Sequence, residues 1–163
     1  MPDETPHRSA QTPASRGRDG ERGDTQSPLQ ARAAFLANWN WEFIIRLNQR
    51  ACARGHAQHG FNSKTQATCR RDWEDFGPRE MTLAEALALL RRMHRCAPFL
   101  FFNGNTFAEL GRQLSSALFA DLAPGLLREV ASATAHYIAG VLDEEALHQL
   151  IEESAATPPP EPL

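Results

Sequence analysis

The sequence predicts an all-α protein, about six helices in a compact orthogonal or irregular bundle with disordered N- and C-terminal tails. Three features point that way. Apolar residues recur at helical spacing along most of the chain. Helix-start signals precede those runs, and Gly or Pro follows several of them. No stretch alternates convincingly at period two, and the one strand-like piece, Phe99 to Phe102, is too isolated to be stable as a sheet.

Residues 1–27 are rich in Pro, Gly, Ser, Thr, Arg and Asp, with almost no large apolar side chains. Such a segment cannot bury enough surface to offset its ordering entropy, so it is expected to be disordered. A single helical domain is expected over 28–154. Residues 155–163 form a Pro-rich end that cannot continue a helix.

Ser27-Pro28-Leu29-Gln30 supplies an N-cap, a proline at the first helical position and a following Gln. Leu36, Phe43, Leu47 and Ala51 then share a face, and Gly55 ends the helix. Asn38 or Asn40 could divide it into two pieces. Ser63 to Gln66 is a second cap signal, followed by Cys69, Trp73 and Phe76 on one face and closed by Gly77-Pro78. Thr82 to Glu85 reads as a capping box ahead of Leu83, Leu87, Leu90 and Met93, with Pro98 as the stop. Thr106 to Glu109 reads as another box, ahead of Leu110, Leu114 and Leu118. A break with a proline at 121–125 leads to Leu127, Val130, Thr134, Tyr137 and Ile138. Asp143 caps a last helix carrying Leu147, Leu150 and Ile151.

The chain has 163 residues, 42% of them apolar, which suits one modest core. Mean hydropathy is −0.46, and no apolar run nears the ~18 residues of a spanning helix, so no membrane role is expected. Met1 to Ser27 lacks the apolar core of a signal peptide. Three widely spaced cysteines read as reduced thiols rather than a disulfide framework. Both observations point to the cytoplasm. The net charge of −3 hides an asymmetry: Pro28 to Arg95 holds eleven Lys and Arg against six Asp and Glu, and Cys96 to Leu163 two against nine. The first half suits an anionic partner and the second repels one.

The stretch from Cys96 to Phe107 is the densest candidate site. It holds Phe99, Phe101, Phe102 and Phe107 beside Asn103-Gly104, which suits a tight turn. Asn105 and Thr106 would stand at a helix start, where free N–H groups and the dipole favour an anion. Asn103, Gly104, Asn105 and Thr106, with His94 or His136, form the candidate ligand site. No phosphate-loop or dinucleotide motif supports a particular nucleotide.

Cys52, His56, His59 and Cys69 offer zinc-type ligands, but their spacing matches no common zinc pattern, so no metal or other cofactor is expected. Cys96 as a nucleophile would need His94 or His136 as its base, yet its place at a helix C-terminus disfavours a thiolate. The acidic pairs Glu144-Glu145 and Glu152-Glu153 lack any accompanying His motif. Arg46, Arg50 and Arg54 form a basic stripe that Arg70, Arg71, Arg91, Arg92 and Arg95 could join in space; with Trp39 and Trp41 for stacking, they are the ingredients for single-stranded nucleic acid. The acidic second half ranks that reading last. A helix-turn-helix over 107–130 lacks the usual glycine in its turn.

Phe35, Trp39, Trp41, Phe43 and Ile44-Ile45 surround too much of the first helix for one buried face, so that helix is either central in the core or part of an interface. Trp39, Trp41, Arg46 and Arg50 are therefore the candidate interface. The leading expectation is a non-enzymatic protein-protein interaction or assembly module, docking a protein partner or a second copy. A small-ligand or metal-binding domain around the Asn-Gly-Asn-Thr stretch is the alternative.

Overall fold

The computed structural model describes residues 27–30, 39–76 and 81–157. It is all-α: a 3-10 turn, Pro28–Gln30, precedes α1 (Trp41–Arg54), α2 (Gln66–Phe76), α3 (Leu83–Cys96), α4 (Asn103–Leu118), α5 (Pro124–Ala139) and α6 (Glu144–Ala156). None of the described helices is long and apolar enough to cross a membrane.

Asn40 does start a helix: its side-chain oxygen accepts the Phe43 N–H at 2.9 Å, which divides the first predicted helix. The Thr82–Glu85 box forms in both directions, and Asp143 caps α6 by accepting the Ala146 N–H at 2.8 Å. Two cap readings are corrected. Ser63 does not cap α2; Asn62 turns the chain there, and the helix begins at Gln66. Thr106 is not an N-cap either, because α4 has already begun at Asn103. Asn103-Gly104 is thus the first helical turn and not a tight turn. The bend lies upstream, where Ala97 (φ 52°) and Phe102 (φ 58°) take left-handed conformations. The last helix runs to Ala156, two residues past the expected domain edge. The remaining tail segments, Phe35, Leu36, Asn38 and Gly77-Pro78 lie outside the described residues.

α4 and α5 pack most closely, with α3 laid against both. Gly111 permits the α4–α5 approach: a Cβ there would stand 2.3 Å from Ile138 Cδ1 and 3.0 Å from Thr134 Cγ2. Beside it the buried Thr134 hydroxyl donates to the Val130 carbonyl at 2.8 Å, so Ser115 must donate to Thr134 Oγ1 at 2.9 Å. Leu83, Leu87, Leu90, Met93, Leu110 and Leu114 fill the centre, each buried. The link after α4 is the short Phe119–Ala123 turn, which leaves no room at 118–122 for the second helix of a helix-turn-helix.

Candidate functional site

Two connecting segments, 55–65 between α1 and α2 and 97–102 between α3 and α4, are zipped together at one end of the bundle. Phe61 and Phe99 form an isolated antiparallel bridge. The Leu100 N–H donates to the Gly60 carbonyl at 3.0 Å, and the Asn62 N–H to the Pro98 carbonyl at 2.9 Å. The Asn62 amide (3.1 Å) and the Thr65 hydroxyl (2.8 Å) both donate to the Ala97 carbonyl. Asn103 closes the far end: it accepts the Phe99 N–H at 3.0 Å and donates to the Phe99 carbonyl at 2.8 Å. Loops hold a fixed shape only when their backbone polar groups find partners, and here side chains supply them.

Beneath the loop pair lies a disulfide between Cys69 of α2 and Cys96 of α3. It corrects the reading of three reduced thiols. Wide spacing in sequence says nothing about proximity once two helices pack. Cys96 is therefore no nucleophile, and Cys69 is no zinc ligand. Among the described cysteines only Cys52 is free, and burial raises its thiol pKa.

Asn48 is the hub, wholly buried on the inner face of α1. Its amide donates to the Phe101 carbonyl at 2.8 Å and to Thr106 Oγ1 at 3.0 Å. Its oxygen therefore accepts, taking the His59 Nδ1–H at 2.8 Å and the Cys52 S–H at 3.5 Å. Thr106 passes its own proton to the Phe102 carbonyl at 2.8 Å. His59 Nε2 is left as a buried lone pair without a partner among the described residues. The ring packs edge-on to Phe61 and tilted on Phe99, and burial lowers its pKa.

The outer surface of the loop pair is apolar. Phe61 is 41% exposed, Leu100 59% and Phe101 50%, and they are three of the four large exposed hydrophobics among the described residues. A groove of about 390 Å³ runs between α1 and α4. Arg50 and Arg54 form one wall; Asn105, Thr106, Glu109 and Gln113 form the other. Glu109 pairs with Arg112 at 3.1 Å, whereas Arg50 and Arg54 make no ion pair among the described residues.

The expected ligand site is thus only partly assembled. Asn105 and Thr106 line the groove, while Asn103 is engaged with Phe99. Gly104 faces His94: a Cβ on the glycine would stand 3.4 Å from the imidazole Cε1. Burial, then Arg95, lowers the His94 pKa. His136 is exposed in the last turn of α5, where its carbonyl accepts the Val141 N–H. The expected interface also divides. Trp41 is buried and stacked on Phe99 with ring centroids 6.0 Å apart, so it is a core residue. Trp39 is half-buried against Phe43, and Arg46 and Arg50 are exposed. The other arginines do not make one stripe. Arg70 pairs with Glu74, Arg92 with Asp72, and Arg91 lies 4.5 Å over the Tyr137 ring. No group of three or more His, Cys, Asp or Glu side chains that could hold a metal gathers among the described residues, and His56 is exposed.

Sequence reasoning missed Asn48, Phe61, Asn62 and Leu100. Asn48 had a signal: it interrupts the apolar face made by Ile44, Leu47, Ala51 and Cys52. Compared with protein-family models, curated proteins and solved structures, the chain matches none of them.

Proposed function

We propose that this chain is a protein-interaction module whose docking element is the loop pair, with Phe61, Leu100 and Phe101 as its apolar anchors. One observation carries the reading: three large apolar side chains stand in solvent on a scaffold that side-chain hydrogen bonds hold rigid. Large apolar side chains left exposed together on one structural element mark interaction sites on proteins. Held rigid, the anchors lose little freedom on binding. The patch is also small beside the ~800 Å² per partner of a standard interface, which favours a transient contact. The disulfide moves the proposed location from the cytoplasm to an oxidising compartment, where such bonds persist.

A photo-crosslinking phenylalanine analogue at position 101 tests the reading in cells. The expected result is an adduct of discrete mass that Leu100→Ser abolishes. The same yield and masses from a control position on α6, such as Gln149, would overturn it.

A small-ligand site is the second reading, favoured by the groove between Arg50 and Asn105. Isothermal titration with a panel of small carboxylates and phosphates tests it. Binding lost in Asn105→Ala supports it, and heats indistinguishable from buffer across the panel count against it.

A further inference from the structure

The apolar patch and the α1–α4 groove are not separate places. Phe101 stands immediately before Phe102, the N-cap of α4, and Asn105 follows in the first helical turn. Thr106 lines the groove, and its hydroxyl accepts from Asn48, which also holds the Phe101 carbonyl. A ligand that covers Leu100 and Phe101 and extends along the start of α4 therefore reaches the groove that Arg50, Arg54 and Asn105 line.

We propose that the loop pair and this groove together recognise an acidic peptide segment carrying a bulky apolar side chain. The proposal rests on the reading of the loop pair as a docking element and adds the chemistry of its partner. Arg50 and Arg54 are exposed and unpaired among the described residues, and a carboxylate is a planar, bidentate partner that their guanidinium forks match. Among the described residues the only acid lining the groove, Glu109, is already held by Arg112. The first turn of α4 carries no acid and its N-cap makes no side-chain bond, so the local field there is positive as well. Nucleic acid fits less well. Of the three tryptophans, Trp41 and Trp73 are buried and Trp39 is half-buried against Phe43, so none of them stands fully exposed to stack on bases.

Display selection of random peptides of about twelve residues against the full chain tests the proposal, with the double variant Leu100→Ser, Phe101→Ser as counter-target. The expected winners combine two or more Asp or Glu with Trp, Phe or Leu. A synthetic copy of the leading winner should bind roughly tenfold more weakly to Arg50→Glu, Arg54→Glu, and raising salt from about 20 to 500 mM should weaken it on the wild type. Both arginines are exposed, so the reversed chain is expected to keep its helical circular dichroism. Neutral or basic winners that the serine variant loses would overturn the acidic preference and leave the docking element standing. No enrichment over the serine variant would overturn both. Tighter binding of a single-stranded oligonucleotide than of the winning peptide would overturn the choice of partner.

Discussion

The side-chain oxygen of Asn48 accepts the Nδ1–H of His59 at 2.8 Å, and this one bond decides which imidazole nitrogen carries the proton. The Asn48 NH2 group already donates twice and its oxygen can only accept, so His59 must donate. The pair joins α1 to the first loop of the docking element, and the same amide joins it to the second.

Asn48→Ala should therefore cost more than an average buried polar truncation. It leaves the partly buried His59 Nδ1–H and Phe101 carbonyl without their Asn48 partner, each at about 1–3 kcal/mol. Urea unfolding should show a loss of about 3 kcal/mol. A loss below about 1 kcal/mol would mean that the loops are held without Asn48.

Acid should loosen the same region. Unfolded, His59 titrates near its ordinary value of 6.5, while burial holds the folded value lower. The unfolded chain thus takes up a proton that the folded chain refuses. The stability is fully present above about 6.5 and is lost as pH falls from there through the folded value. His94 acts with the same sign. The urea midpoint should fall between pH 7 and 5.5, and the pair His59→Gln, His94→Gln should flatten the fall. An unchanged slope in that variant would place the proton uptake elsewhere.

Purified without reductant and then denatured, the chain should titrate a single thiol, that of Cys52. Three thiols would restore the reduced reading. Cys69 and Cys96 are 27 residues apart, and closing a loop of that length stabilises by about 3–4 kcal/mol in the chain-entropy picture. Cys96→Ser should lower the unfolding free energy by about that amount.

Two glycine substitutions should act in opposite directions. Gly125 in α5 has open space where a Cβ would stand, so Gly125→Ala should stabilise by about 0.5 kcal/mol through helix propensity. Gly111→Ala would press on Ile138 and Thr134, both buried, and should destabilise by about 1–2 kcal/mol despite the same propensity gain. Equal thermal midpoints for the two variants would contradict the close α4–α5 approach.

Helix existence was determined by the sequence itself, because a helix needs only local signals. The periodic leucines of α3, its Thr82–Glu85 box, Pro124 and Asp143 all act within a few residues of where they stand. The exceptions are instructive. Thr106 satisfies the capping-box pattern at Glu109, yet Asn48 and the Phe102 carbonyl claim its hydroxyl, and Glu109 turns to Arg112 and Gln113. Asn103-Gly104 has turn chemistry, yet Asn103 is occupied with Phe99 and the helix starts there. Only the tertiary structure decided which side of α1 is interior, which removed Trp41 from the surface. It alone joined Cys69 to Cys96 and brought segments 55–65 and 97–102 together to expose Phe61, Leu100 and Phe101. These relations link residues about thirty or more positions apart, and no local pattern encodes them. They arise when helices pack and buried polar groups must find partners wherever the chain has placed them.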